Sequence, residues 1–245
     1  MDDIRQGCYL ARLARDPADI IRAQALRARA FLGQEGGLDA DAHDAACLHV
    51  LVEEETSGDL VCCFRVLMLG GGSEIARSYS AQFYDLSALA GFEGRMAEIG
   101  RFCLAPDRHD PDILRLAWAA MTRLVDAHGV VLLFGCSSFK GVETEPYLDA
   151  FAMLGKHHLA PRRWWPRVKA PSVFRFAQRL RLHKPDLNAA MRHMPPLLRT
   201  YLMMGGWVSD HAVIDRQMGT LHVFTGVEIC AIPAARQRLL RALAG

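Results

Sequence analysis

The segment Ala97-Glu98-Ile99-Gly100-Arg101-Phe102-Cys103-Leu104-Ala105-Pro106 sets a carboxylate and a guanidinium inside an apolar run. Glu and Arg leave water only when they pair or do chemistry, so any fold that buries this run must answer for both charges. Met96 to Leu104 reads as a strand, and residues three apart on a regular strand face opposite sides. Glu98 and Arg101 therefore diverge unless the backbone is interrupted. Gly100 is the expected interruption: a bulge there returns the two side chains to one face and splays the strand from its neighbour. Taken alone, the segment fits either an ion pair that only holds the fold or an acid–base site with released main-chain N–H groups beside a carboxylate.

The rest of the chain narrows the setting. Its 245 residues, 51% of them hydrophobic, suit one large domain or two small ones. No Gly/Ser-rich or Pro-rich linker, repeat or low-complexity segment divides them, so a single domain over residues 1–245 is expected, with 160–245 as an extension. Met1-Asp2-Asp3-Ile4-Arg5 is charged and leads into no apolar core, unlike a secretory signal, and no apolar stretch is long enough to span a bilayer. Cys47, Cys62, Cys63, Cys103 and Cys136 fall in hydrophobic contexts and read as reduced core thiols of a cytoplasmic protein. No Cys-x-x-Cys pair occurs, and His157-His158 lacks a partner at ligand spacing, so no metal is expected.

Asp16-Pro17-Ala18-Asp19 offers an N-cap with Pro at the first helical position, and Ile20 to Phe31 continues at helical spacing. An acidic stretch, Leu38 to Asp44, precedes an expected strand, Cys47 to Val52. Thr56-Ser57-Gly58-Asp59 turns the chain into a second, Leu60 to Leu69, with Arg65 in its middle. Beyond Leu104, Pro111 opens a helix through Ala127 with Ile113, Leu116, Ala117, Ala120 and Leu124 as its apolar face, and Gly129 stops it. Val130 to Phe134 is apolar on both faces, as in an internal strand. Strand, helix, strand in this order argues for an α/β sheet with antiparallel hairpins at one end. Phe139-Lys140-Gly141 reads as a turn, followed by a helix to Leu154 that Gly155 caps. Pro195 to Leu202 reads as a helix, Val213-Ile214 and His222 to Ile229 as final strands, and Trp207, Asp210 and Asp215 as loop residues.

From Arg162 to Lys184 there are eight Lys or Arg and no Asp or Glu, with Trp164, Trp165, Phe174 and Phe176 interleaved. The whole chain carries only +2, so positive charge is concentrated here. Nucleic acid, an anionic membrane surface or a strongly acidic protein would each complement it, as would plain solvent around a basic loop.

In order along the chain stand Arg27-x-x-x-Phe31, Asp41 and Asp44, Arg65, and Glu98-Ile99-Gly100-Arg101. This pattern resembles the acyl-homoserine-lactone synthases of the GNAT superfamily. Leu133 to Phe139, His158-Leu159-Ala160-Pro161 and Leu197 to Asp215 with Gln217 bring the chain closer to the ornithine lipid N-acyltransferases. The resemblance runs from residue 8 to about residue 230. It implies an α/β (α+β) GNAT-like acyl-CoA N-acyltransferase fold, a mixed central sheet flanked by helices with a C-terminal extension. It also implies transfer of a (3-hydroxy)acyl chain from acyl carrier protein to the α-amine of ornithine, the first step towards ornithine lipid.

Under that resemblance Glu98 and Arg101 are the expected catalytic residues. Arg27, Phe31, Asp41, Asp44, Arg65, Phe102, Cys103, Leu104 and Arg108 are the expected substrate-binding ones. No cofactor is expected beyond the phosphopantetheine thioester of the donor. Where GNAT proteins that use acetyl-CoA cradle a pyrophosphate on a Gly-rich loop, this chain has Pro106-Asp107-Arg108-His109-Asp110-Pro111-Asp112, without glycine and with three acids. A single phosphodiester on Arg108 fits that loop better than a pyrophosphate. Expected partners are acyl carrier protein, the amino acid and a peripheral inner-membrane surface. Nucleic acid is not among them. Acylation of glutamine or another amino acid, autoinducer synthesis, and a basic binding protein with an inactive core stay open as alternatives.

Overall fold

A computed structural model gives the structure of residues 1–244. The chain opens with a hairpin of β1 (Ile4–Gln6) and β2 (Tyr9–Leu13), then α1 (Pro17–Arg27), prolonged by a π-helical turn over Ala28–Leu32. β3 (Leu48–Glu54) and β4 (Leu60–Leu69) follow, then short β5 (Tyr84–Asp85) and β6 (Arg95–Leu104). α2 (Pro111–His128) leads to β7 (Val130–Lys140) and α3 (Leu148–His157). Next come β8 (Arg167–Val168), β9 (Val173–Phe174), α4 (Phe176–Arg179), α5 (Leu187–His193) and α6 (Pro196–Met203). β10 (Trp207–Val208), β11 (Ala212–Asp215), β12 (Thr220–Glu228) and α7 (Ala234–Ala244) complete the chain. Two compact units result: Met1–Met68 with Ala97–Val130 and the segment from Ala234, and Leu69–Met96 with Val131–Pro233.

In the first unit the strands lie in the order β1, β2, β3, β4, β6, with antiparallel pairing from β1 through β4. Register places His49 opposite Arg65, so two polar side chains share one cross-strand position. α1 begins where the sequence says it should: the Asp16 carboxylate accepts from the Asp19 N–H, with Pro17 at the first turn. Its Ala23 and Leu26 pack on Leu51, Cys63, Cys103 and Ala105. α2 buries the expected face, Ile113, Leu116, Ala117, Ala120 and Leu124, and ends at Gly129 with φ 60°. The N-terminal hairpin was not anticipated from its charged sequence. Ile4, Tyr9 and Ala11 bury its inner positions.

In the second unit β7, β12, β11 and β9 pair antiparallel in that order, and β10 adds to β12. β7 outruns the expected Val130–Phe134 strand and the expected turn at Phe139. β12 supplies hydrogen-bond partners all the way from Leu132, opposite Glu228, to Lys140, opposite Thr220. Gly155 does not cap α3; it lies inside the helix, where an added Cβ would come within 3.3 Å of Ala177 Cα. A close approach explains that glycine better than a helix end. Trp207, expected in a loop, is buried in β10, while Asp215 ends β11 and accepts from the N–H groups of Gln217 and Met218. Cys62, Cys63 and Cys103 are buried as expected, whereas Cys47 and Cys136 are only half-buried. Among the described residues, no helix is long and apolar enough to cross a membrane.

Candidate active site

Three arginines and three aspartates of the first unit form a closed ring in which every carboxylate holds two guanidiniums. Asp39 pairs with Arg27 and with Arg101, each at 2.9 Å. Asp41 pairs with Arg101 at 3.2 Å and with Arg65 at 2.6 Å. Asp44 pairs with Arg65 at 2.5 Å and returns to Arg27 at 2.8 Å. The arginines come from α1, β4 and β6, and the aspartates from the loop between α1 and β3. An irregular loop of six residues is thus fastened to three regular elements by its side chains.

The ring is largely dry. Arg27 is 1% exposed and Arg65 3%, so each guanidinium needs carboxylates at hand to offset the hydration it has lost. Burial alone would raise the Asp44 carboxyl, but Arg27, Gln24 and Arg65 overcome it and hold the group well below the ordinary carboxylate range. Asp41 is lowered as well: Arg65 and Arg101 outweigh its partial burial. Arg65 is raised for the complementary reason, its desolvation being more than offset by Asp41 and Asp44. Two further groups support the ring. Gln24 Nε2 donates to Asp44 at 2.9 Å, and the buried His49 Nε2 lies 2.9 Å from the Asp44 carbonyl.

Glu98 is 5% exposed on β6. Strand alternation puts it on the face of Gly100, where an added Cβ would lie 3.6 Å from Arg65 Nε. Its charge also helps, after burial, to push the Cys47 thiol up to about 11. Glu98 therefore belongs electrostatically to the neighbourhood of Cys47 and the ring. The backbone reversal that brings Arg101 to the same face sits one residue later than expected. Gly100 is outside the left-handed region, and Arg101 itself takes φ 54°, the single non-glycine residue at positive φ among the described residues. A left-handed arginine is strained. Asp39 and Asp41, which hold its guanidinium, over-determine the conformation.

The remaining expected site residues divide. Phe102 stacks on Phe64 with centroids 5.2 Å apart, Leu104 is half-buried at the end of β6, and Cys103 Sγ lies 3.6 Å from Cys63 Sγ beneath α1. Phe31 is not brought to the ring; it lies 36% exposed on the π-helical turn. Arg108 lies apart from the ring too, paired with Glu54 at 3.2 Å and Asp59 at 3.1 Å. It lines a cavity of about 460 Å³ together with Arg22 and Arg29, over a floor that includes Leu26, Leu60 and Ala105. Arg29 makes no side-chain hydrogen bond or ion pair among the described residues. Sequence reasoning had passed over Asp39, Gln24 and His49. Asp39 stands two residues before Asp41, and that spacing was the one available signal. Among the described residues no cluster of three or more His, Cys, Asp or Glu has the form of a metal site.

Residues 23–119, which hold the end of α1, the ring, β3, β4, β6 and the start of α2, match the family described as Acetyltransferase (GNAT) domain. An L-ornithine N(alpha)-acyltransferase of Rhodobacter capsulatus is 32% identical over 230 residues, covering 88% of each chain. Another of that name, from Rhizobium meliloti, is 30% identical over 229 residues, 86% of this chain and 77% of its own. A third, from Agrobacterium fabrum, is 27% identical over 245 residues, 93% of this chain and 83% of its own. A buried carboxylate on a GNAT strand and a likeness that runs nearly end to end lead to one conclusion: this chain is an N-acyltransferase and belongs to the L-ornithine Nα-acyltransferase family.

Proposed function

We propose that the chain transfers a (3-hydroxy)acyl group from the phosphopantetheine thioester of acyl carrier protein to the α-amine of L-ornithine. The product is an acyl-ornithine, the lyso form of ornithine lipid. The observation that carries the reaction is Glu98, a buried carboxylate beside a charge-balanced ring. At neutral pH the acceptor is an ammonium, which cannot attack. Glu98 takes its proton, directly or through a water. The free amine adds to the thioester carbonyl, the C–N bond forms and the C–S bond breaks, and the pantetheine sulfur leaves to be protonated as the thiol. Main-chain N–H groups around Arg101 polarise the carbonyl.

The ring keeps the acidic loop in place while the amino acid binds. Asp41, its side chain 23% exposed against 8% for Asp39 and Asp44, is the member best able to meet a cationic amine. The cavity of Arg22, Arg29 and Arg108 suits the phosphodiester of the donor arm, and the product's acyl chain is delivered to a membrane from its cytoplasmic side.

The test is mass spectrometry of products from purified enzyme, acyl carrier protein thioester and L-ornithine, with glutamine, lysine and glycine as competing acceptors and acyl-CoA as a competing donor. Nα-acyl-ornithine should dominate. Glu98→Gln should lower turnover by about a hundredfold or more while leaving the melting temperature close to that of the parent. Wild-type rates from Glu98→Gln across neutral pH would remove Glu98 from the role of base, and preference for another acceptor would replace ornithine.

A further inference from the structure

The basic stretch of the second unit separates into two parts. Over residues 162–179 several cations are engaged: Arg163 pairs with Glu228 at 3.1 Å and lies over Trp164, Lys169 Nζ donates to the Ala81 carbonyl, and Arg179 lies over Phe174. From residue 180 onward the surface changes character. Leu182 is 87% exposed, Leu187 57% and Met191 42%, and Arg181, Lys184 and Arg192 stand among them as exposed cations with no side-chain partner among the described residues.

This is no frayed loop. The Asp149 carboxylate of α3 lies 2.9 Å from His183 Nε2 and accepts the Asp186 N–H, and Asp186 in turn caps α5 through the N–H groups of Asn188 and Ala189. Two anchors thus hold a short segment that presents a leucine almost wholly to water. Leu187 and Met191 stand four apart on α5, side by side and both exposed, whereas Ala190 and Met194 are buried. Between Arg175 and Met203 six Lys or Arg face a single acid, Asp186, which is spent on the cap.

We propose that this surface, Leu182, Leu187 and Met191 ringed by Arg181, Lys184 and Arg192, seats the enzyme on an anionic bilayer. The apolar side chains enter the headgroup and acyl boundary while the cations meet lipid phosphates, a two-part attraction that neither could sustain alone. A carrier protein would complement the charge and leave the three apolar side chains wet; a bilayer answers both. The inference rests on the reading that the product is an acyl amphiphile, which must reach a membrane.

The experiment is co-sedimentation of the full chain with phosphatidylcholine vesicles, with and without phosphatidylglycerol, alongside turnover in vesicle-free buffer. The wild type should partition onto the phosphatidylglycerol vesicles and far less onto phosphatidylcholine alone. Leu182→Asp with Leu187→Asp should lower that partition about tenfold or more. Arg181→Ala with Lys184→Ala should lower it about fivefold for each charge removed and flatten its salt dependence. Both variants should melt like the wild type and keep its vesicle-free kcat and its KM for acyl carrier protein. Failure of the wild type to bind phosphatidylglycerol vesicles, or equal binding by both variants, overturns the proposal. A raised KM for carrier protein with unchanged vesicle binding overturns it in favour of a protein-docking surface. Absence of acyl-ornithine formation by the wild type would refute the functional reading instead, and the vesicle result would be read separately.

Discussion

Arg101 reaches Asp39 at 2.9 Å from a backbone with φ 54°, so the ion pair that closes the ring is also the one that holds a strained residue in place. Strain and pairing can be separated by substitution. Arg101→Gly removes both, whereas Arg101→Ala removes the pairing and keeps the strain. Both should be less stable than the parent, because Asp39 and Asp41 each lose a cation. The alanine variant should be the worse by about 1 kcal/mol, the usual cost of left-handed backbone for a residue with a Cβ. Urea unfolding of the two variants measures the difference; equal midpoints and slopes would mean that the backbone relaxes once the guanidinium is gone.

The two most informative glycines should respond oppositely to alanine. At Gly100 the new Cβ would lie 3.6 Å from Arg65 Nε and 3.8 Å from its Cγ, ordinary contact distances, so Gly100→Ala should change stability by less than about 1 kcal/mol. Gly100→Val adds branches that press on Arg65, and activity should fall further than stability. At Gly72 the Cβ would meet the Leu89 carbonyl at 1.9 Å and the Phe92 nitrogen at 2.7 Å. Those are backbone atoms that cannot turn aside, and Gly72→Ala should cost several kcal/mol, on the order of the largest single-residue effects. Thermal melts of all three would rank them.

Arg29 and Arg108 line one cavity but differ in how much of their charge is left for a ligand. Glu54 and Asp59 already answer Arg108, while Arg29 has no such partner among the described residues. Arg29→Ala should raise KM for the acyl donor about tenfold or more, as expected for one lost charge-assisted hydrogen bond, with kcat near normal. Arg108→Ala should have the smaller effect. Steady-state kinetics on acyl carrier protein thioester decides; the reverse ranking would move the phosphate to Arg108.

Stability should fall with mild acid through His222. This ring is 2% exposed, and burial lowers its pKa from 6.5 to about 4 despite the attraction of Asp215. Tyr84 Oη donates to the His222 carbonyl at 2.7 Å and lies 3.1 Å from its Nδ1, and nearby His211 opposes a second positive charge. The folded state therefore keeps His222 neutral while the unfolded chain takes up a proton below pH 6.5. Its contribution is complete above that pH, is lost as pH falls from 6.5 towards about 4, and levels off below, a change of about 3 kcal/mol. Asp44 works in the same direction at lower pH, since its lowered carboxyl protonates only in stronger acid. Urea midpoints between pH 4 and pH 7 should fall steeply in the parent and more gently in His222→Gln.

The local signals in the sequence were sufficient wherever one element decides its own fate. Asp16-Pro17 started α1, Gly129 ended α2, and the apolar spacing from Ile113 to Leu124 named the buried face, because caps and helical periodicity act within a few residues. The same kind of reasoning expects an interruption of the strand at Gly100 that would bring Glu98 and Arg101 towards one face. Which residue makes the turn was a tertiary matter: Arg101 and not Gly100 is left-handed, because aspartates some 60 positions earlier hold its guanidinium and outweigh the local preference for glycine. The ring has the same character. Arg27, Arg65, Asp41 and Asp44 were legible as charges needing partners, but who pairs with whom, and that Asp39 completes the circuit, follows from the packing of α1 over β4 and β6 and from no spacing along the chain. β7 ran past its apparent end for a related reason, a strand's length being fixed by the partner that satisfies its backbone as much as by its own residues.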